Sequence, residues 1–243
     1  MKKRLCVIAV MTFMGVLTAC KVQPYEEETT QITTEAVTQE ETTQETTEET
    51  TQETPSKVYA PEYNISKIWS DLQFAFDGDI YTLPIAYSKL SANGWKVHLE
   101  DYGYTDGLVI EAGARLSAAV SLYNEAYNEK FTINVGFVNN SDRDMDITEC
   151  QIWEFGCDIS YGYTKLDNVP LMVIANGVTW GSDIEEIREV YGEPSYILDS
   201  KELYGESENN YVVYTYMSDY NYYMQLTVFE KYGLTGIKLQ EYN

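Results

Sequence analysis

Tyr211-Val212-Val213-Tyr214-Thr215-Tyr216-Met217, Tyr222-Tyr223-Met224-Gln225-Leu226-Thr227-Val228-Phe229-Glu230 and Thr235-Gly236-Ile237-Lys238-Leu239-Gln240-Glu241 run almost to the end of the chain. Ser218-Asp219 and Tyr232-Gly233 separate them as turns. The runs are rich in Tyr, Val, Thr and Leu, and β-branched and aromatic residues suit a pleated, half-buried surface. They predict an antiparallel meander. Six tyrosines (Tyr211, Tyr214, Tyr216, Tyr220, Tyr222 and Tyr223) crowd two of these strands and their turn. The strand period of two puts Val212, Tyr214 and Tyr216 on one face and Tyr211, Val213 and Thr215 on the other. Both faces are partly apolar, so parity alone leaves open which one is wet.

Working upstream, a strand is expected over 195–199. Before it, Ile184, Ile187 and Tyr191 recur at helical spacing, and Gly192 with Pro194 stops the helix. Ser182 stands three residues ahead of Glu185, the spacing of a capping box. Leu171-Met172-Val173-Ile174 reads as a strand leading into the Asn176-Gly177 turn. Further back, Gln73-Phe74-Ala75-Phe76, Asp77-Gly78 and Ile80-Tyr81-Thr82-Leu83 form a hairpin signal. The run over 130–138 alternates as a strand, which Asn139-Asn140-Ser141-Asp142 ends, and 147–153 reads as the next. The fold class implied is α+β and β-rich, with short helices packed on antiparallel meander sheets. An earlier stretch echoes the later one: a helix over 87–92 follows the Asp77-Gly78 hairpin, and the Gly78-to-Gly94 distance nearly equals that from Gly177 to Gly192. Two related modules would give that order, and so would the turn punctuation common to any β-rich domain.

Gly177-Val178-Thr179-Trp180-Gly181-Ser182, Ile187, Tyr191-Gly192-Glu193-Pro194 and Tyr214-Thr215-Tyr216 resemble the pattern of small lipoprotein modules of the SmpA/OmlA (outer-membrane assembly factor) type and of the related β-lactamase-inhibitor-like folds. The resemblance covers about residues 173–243. It implies one or two helices against a three- or four-stranded antiparallel sheet, and a role in binding other proteins.

The opposite end of the chain carries a different signal. Lys2, Lys3 and Arg4 precede an apolar stretch over 5–17, and Leu17-Thr18-Ala19-Cys20 follows. A membrane span needs roughly 20 apolar residues; this stretch is shorter and leads straight into polar sequence, as a cleaved signal does. The run resembles a bacterial lipoprotein signal ending in a lipobox. That resemblance implies cleavage before Cys20, a diacylated Cys20 and a location on the extracytoplasmic face of the cell membrane. Two acyl chains make a stable anchor where one is marginal.

From 26 to 54 the chain is almost wholly Thr, Glu and Gln, without Lys, Arg or an aromatic. Burial there cannot offset backbone entropy, so a disordered, self-repelling spacer is expected, reaching about 35 Å or more. The organisation read from the sequence is a signal peptide over 1–19, an acidic linker over 20–60, a β-rich domain over 61–168 and an α+β module over 169–243.

Charge narrows the partners. Sixteen Lys and Arg face 39 Asp and Glu, a formal net charge of −23, and removing the signal moves it to about −26. Nucleic-acid binding rests on Lys and Arg neutralising phosphates, so none is expected. An anionic lipid surface is equally unsuited, which leaves the lipid on Cys20 as the membrane contact.

Catalytic motifs are sparse. His98, between Val97 and Leu99 on an expected strand, is the sole histidine, and no Gly-x-Ser-x-Gly elbow accompanies it. Asp142, Asp144 and Asp146 alternate like a calcium loop but lack its glycine and distal glutamate. No glycine-rich phosphate motif occurs. Cys150 and Cys157 are left as either a disulfide across a bend at Gly156 or two small buried hydrophobes, the plainer reading. The expectation is a non-enzymatic lipoprotein without cofactor or metal. Its partner would be an envelope protein or, alternatively, cell-wall glycan. Tyr214, Tyr216, Tyr220, Tyr222 and Tyr223 are the candidate binding residues.

Overall fold

The computed structural model describes residue 58 and residues 60–102, 107–219 and 221–242. The expected signal peptide, Cys20 and nearly all of the linker lie outside the described residues, as does Tyr220.

The first hairpin forms as its sequence predicts. β1 (Gln73–Phe76) turns into β2 (Asp79–Thr82) through Asp77 at φ 53° and Gly78 at φ 87°. Left-handed backbone at both central residues matches the twist of a two-residue hairpin. β3 (Ile85–Ala86) leads into α1 (Tyr87–Ala92), and β4 (Lys96–Val97) precedes a 3-10 turn at Leu99–Tyr102. His98 therefore falls between a two-residue strand and that turn, its ring 5.1 Å from Tyr123. After β5 (Val109–Ile110) come β6 (Arg115–Tyr123), β7 (Ile133–Val138), β8 (Met145–Asp146) and β9 (Gln151–Asp158). The strand expected from 147 starts later. Ile147–Glu149 is a 3-10 turn, because the Asp146 carboxylate accepts from the Thr148 N–H and caps it.

A small hairpin, β10 (Ser160–Tyr161) and β11 (Thr164–Lys165), is followed by β12 (Met172–Ile174) and β13 (Val178–Thr179). α2 (Ile184–Tyr191) begins one residue later than the Ser182 box predicts. Asp183 is the N-cap, accepting from the Glu186 N–H at 2.7 Å, while Ser182 is buried and its Oγ accepts from the Thr179 N–H. β14 (Tyr196–Asp199), α3 (Ser200–Tyr204), β15 (Tyr211–Ser218), β16 (Tyr222–Phe229) and β17 (Gly233–Glu241) complete the chain. The architecture is β-rich α+β, with antiparallel pairing in every ladder.

Two main sheets carry the fold. The smaller runs in the order β13-β12-β1-β2, and the larger β14-β15-β16-β17-β9-β7-β6-β4, with β3 pairing β9. In both, the central pair joins a strand from before residue 168 to one from after it. β1 pairs β12 in register Ala75 with Val173, and β9 pairs β17 in register Phe155 with Leu239. The Phe155 ring meets Phe74 at 4.8 Å and Phe76 at 5.1 Å, so the core lies between the two sheets. Trp95, Trp180, Phe131 and Phe137 are buried with them. Cys150 and Cys157 are free buried thiols, and burial pushes the Cys157 thiol well above its ordinary pKa.

Some elements recur in the same order in the two halves, while β3, β5 and β8 of the first have no counterpart in the second. A hairpin (β1–β2, then β12–β13) leads to a helix (α1, then α2) and an outermost strand of the large sheet (β4, then β14). A short helical turn and three further strands of that sheet follow in each case.

Candidate functional site

Strand parity and register sort the large sheet's residues onto two faces. Val212, Tyr214 and Tyr216 on β15 lie opposite Val228, Leu226 and Met224 on β16, and Leu226 and Met224 lie opposite Ile237 and Leu239 on β17. All of these but half-buried Val212 are buried, so this face looks into the sandwich. Tyr216 stacks edge-on against Tyr191 of α2 at 5.6 Å and meets Trp69 at 6.3 Å. Burial pushes its hydroxyl up to about 12 and raises that of Tyr214 in the same direction. Both rings are committed to packing. Tyr222 is half-buried against the same core. Tyr223 lies on the opposite face, beside Met217 and Gln240. The candidate tyrosines that are described thus divide between two faces and form no single surface.

That opposite face is the more open one, although Phe229, Thr215, Gln240 and Glu154 on it are buried. It carries Tyr196 and Leu198 from β14, Tyr211, Val213 and Met217 from β15, and Gln225, Thr227 and Phe229 from β16. Lys238 and Gln240 of β17 and Glu154 and Asp158 of β9 continue it. Tyr196 is 64 % and Met217 45 % exposed, whereas α2 and the four-stranded sheet make their ring contacts on the core side. At the far end, Arg115 lies over the Trp153 ring and Tyr242 packs beside it.

Two adjoining hollows mark the middle of the open face. One, of about 310 Å³, is lined by Asn134, Glu154, Gln225 and Lys238 together with Gly156 and Gly236. Glu154 is 2 % exposed, and its carboxylate pairs with the Lys238 ammonium at 2.6 Å. Removing one member of such a pair leaves a buried charge unanswered. The second hollow, of about 450 Å³, shares Asp158 and Thr227 with the first and is walled by Tyr163, Tyr211 and Phe229. Tyr211 and Phe229 lie 5.3 Å apart, and Tyr163 meets Phe229 edge-on at 6.2 Å.

The β10–β11 turn places Tyr163. Gly162 at φ 53° and Tyr163 at φ 66° reverse the chain between Tyr161 and Thr164. Ser160, two residues on, fixes Asp158: the carboxylate Oδ1 accepts the Ser160 N–H at 2.6 Å and the Ser160 hydroxyl at 2.5 Å. Its Oδ2 lies over Gly236, where an added Cβ would come within 2.8 Å. Although the residue as a whole reaches solvent, this seat withdraws the carboxyl from water and raises its pKa. None of Asp158, Tyr163 or Phe229 was singled out from the sequence. The Asp-x-Ser pattern at 158–160 and the Gly162 turn were the available signals.

Elsewhere, two of the acidic trio serve local structure: Asp144 accepts from the Ala112 N–H and Asp146 caps its 3-10 turn. A further hollow of about 820 Å³ lies between residues 58–67 and the β12–β13 turn, with Glu62 and Lys67 as its charged lining. Among the described residues no helix is long and apolar enough to cross a membrane. Compared with known proteins, the chain matches no family model, no curated protein and no solved structure.

Proposed function

We propose that this chain is a cell-surface lipoprotein that acts without catalysis, as a protein-interaction module. Lipid on Cys20 would hold it at the extracytoplasmic face, and the linker over 20–60 would carry the folded part clear of the membrane. The observation that carries the binding role is the outer face of the large sheet, where Tyr196 and Met217 are exposed and half-buried Tyr211 lines a hollow. Apolar surface left uncovered in this way marks interaction sites. The excess of 39 acidic over 16 basic residues favours a basic protein partner.

The same reading takes the two halves as diverged copies of one module. It is supported by the elements that recur in the same order, and by Gly78 and Gly177 in the two hairpin turns with Gly94 and Gly192 after the two helices.

Photo-crosslinking in intact cells tests the binding role, with the reactive group at Tyr196 or Met217 on the open face and at Ile80 on the small sheet. The expected result is a discrete adduct with one envelope protein from the open face and none from Ile80. Adducts from all positions alike, or adducts lost on adding soluble wall glycan, would overturn it and move glycan binding first. Cys20→Ala in parallel is expected to release the chain from the membrane fraction.

A further inference from the structure

We propose that the hollow beside Asp158 receives an arginine side chain from the protein partner. This rests on the reading of the open sheet face as a protein-binding surface and names what that surface recognises.

The two hollows differ in charge. In the smaller, Glu154 already has its cation in Lys238. In the larger, no Lys, Arg or His among the described residues pairs with Asp158. Ser160 occupies Oδ1, while Oδ2 accepts no hydrogen bond among the described residues. A carboxylate partly withdrawn from water gains most from a cation that restores what it has lost. The raised pKa of Asp158 agrees with that withdrawal.

The walls select the kind of cation. Tyr163, Tyr211 and Phe229 frame the hollow with aromatic rings, and Val213 and Thr227 add aliphatic floor. A guanidinium can lie flat on a ring and still donate N–H bonds in its plane to a carboxylate, and its three-carbon stem packs on apolar floor. Lysine brings a compact, strongly hydrated charge that uses the ring faces less well. A sugar ring would meet the aromatic walls but leave the charge of Asp158 uncompensated.

Titrating the full chain, solubilised in detergent, with N-acetyl-arginine amide tests this, read through the backbone amide signals of Ser160, Gly162, Tyr163 and Tyr211. Saturable millimolar shifts are expected there, and none with N-acetyl-citrulline amide, which has the same shape without the charge. Asp158→Asn keeps the acceptor for Ser160 and should weaken binding at least threefold. Tyr163→Asn removes one ring while suiting the left-handed turn, and should weaken it also. Absent shifts, equal shifts with the citrulline probe, or unchanged affinity in a folded Asp158→Asn variant would each overturn the proposal. So would an N-acetylglucosamine tetramer that moves these amides where the arginine probe does not. Failure here with the Tyr196 and Met217 crosslinks intact would leave the open face as a protein-binding surface and remove only the arginine. Loss of those crosslinks would remove the broader reading.

Discussion

Asp158 spends one carboxylate oxygen on Ser160 and leaves the other over Gly236. Its folded-state pKa is raised, with burial as the first cause and the Ser160 hydrogen bonds opposing it. Proton linkage sets the sign of the effect on stability. Between the ordinary value of 3.8 and the raised one, the folded chain holds more of this proton than the unfolded chain. Stability then falls as pH rises through that window. Asp158→Asn, which carries no charge to desolvate, is expected to be at least as stable as the wild type at pH 7, with the advantage fading as pH falls through that window and gone below pH 3.8. Urea midpoints across pH 3 to 7 measure it. A variant less stable at pH 7 than at pH 3, relative to wild type, would mean that the charge is stabilised rather than penalised.

At the scale of elements, α2 depends on two neighbouring residues with separate tasks. Asp183 caps the helix, and Ser182 ties the buried Thr179 N–H of β13 to the helix start. Asp183→Ala should cost about 1 kcal/mol as a lost N-cap. Ser182→Ala should cost about 1–3 kcal/mol, because it leaves a buried donor unpaired. Chemical denaturation ranks the two. Equal losses confined to helix signals would return the cap to Ser182. The sequence placed this helix to within a residue or two, since Ile187 and Gly192 fix its apolar stripe and its end, but a Ser-Asp pair offers two caps and only packing chooses. The β1–β2 hairpin and the last three strands were legible for the same local reasons, turn chemistry and alternation. β6 was not, because Ser117-Ala118-Ala119 interrupts any strand signature, and β6 pairs with β7 through Arg115 and Leu116 before it and Val120, Ser121 and Leu122 after it. α3, too short to show a period, was missed as well. The tyrosines are a different case. Their parity was readable, but burial of Tyr216 depends on Tyr191 of α2 and on Trp69 lying against that face, a long-range fact.

Over the whole molecule, the β1–β12 and β9–β17 pairs cross residue 168 and hold the centre of both sheets. Fragments 61–168 and 169–243 each lose the partner of a central strand, exposing an apolar edge of the kind that aggregates. Made separately, each is expected to lack cooperative unfolding, and made together they should reassemble. Circular dichroism melts and amide protection read this directly. A cooperative melt of 169–243 alone would show that the later half carries its own core.

Among the described residues, hydrogen bonds along the N-terminal end tie it to this sandwich. Val58 donates to the Trp180 carbonyl at 3.1 Å, Asn176 donates to the Lys67 carbonyl at 2.9 Å, and Ser66 donates to the Gln73 side chain at 2.7 Å. These attachments stand one after another along the chain, ahead of β1. A mechanical load pulling from the N-terminal side therefore reaches them in series, and they part singly, as a peeled ribbon does. The ladders of the two sheets, whose bonds would have to shear together, feel the pull last. Residues 60–68 are thus expected to part under tension before the sheets do, leaving the face proposed to meet a partner in its folded shape.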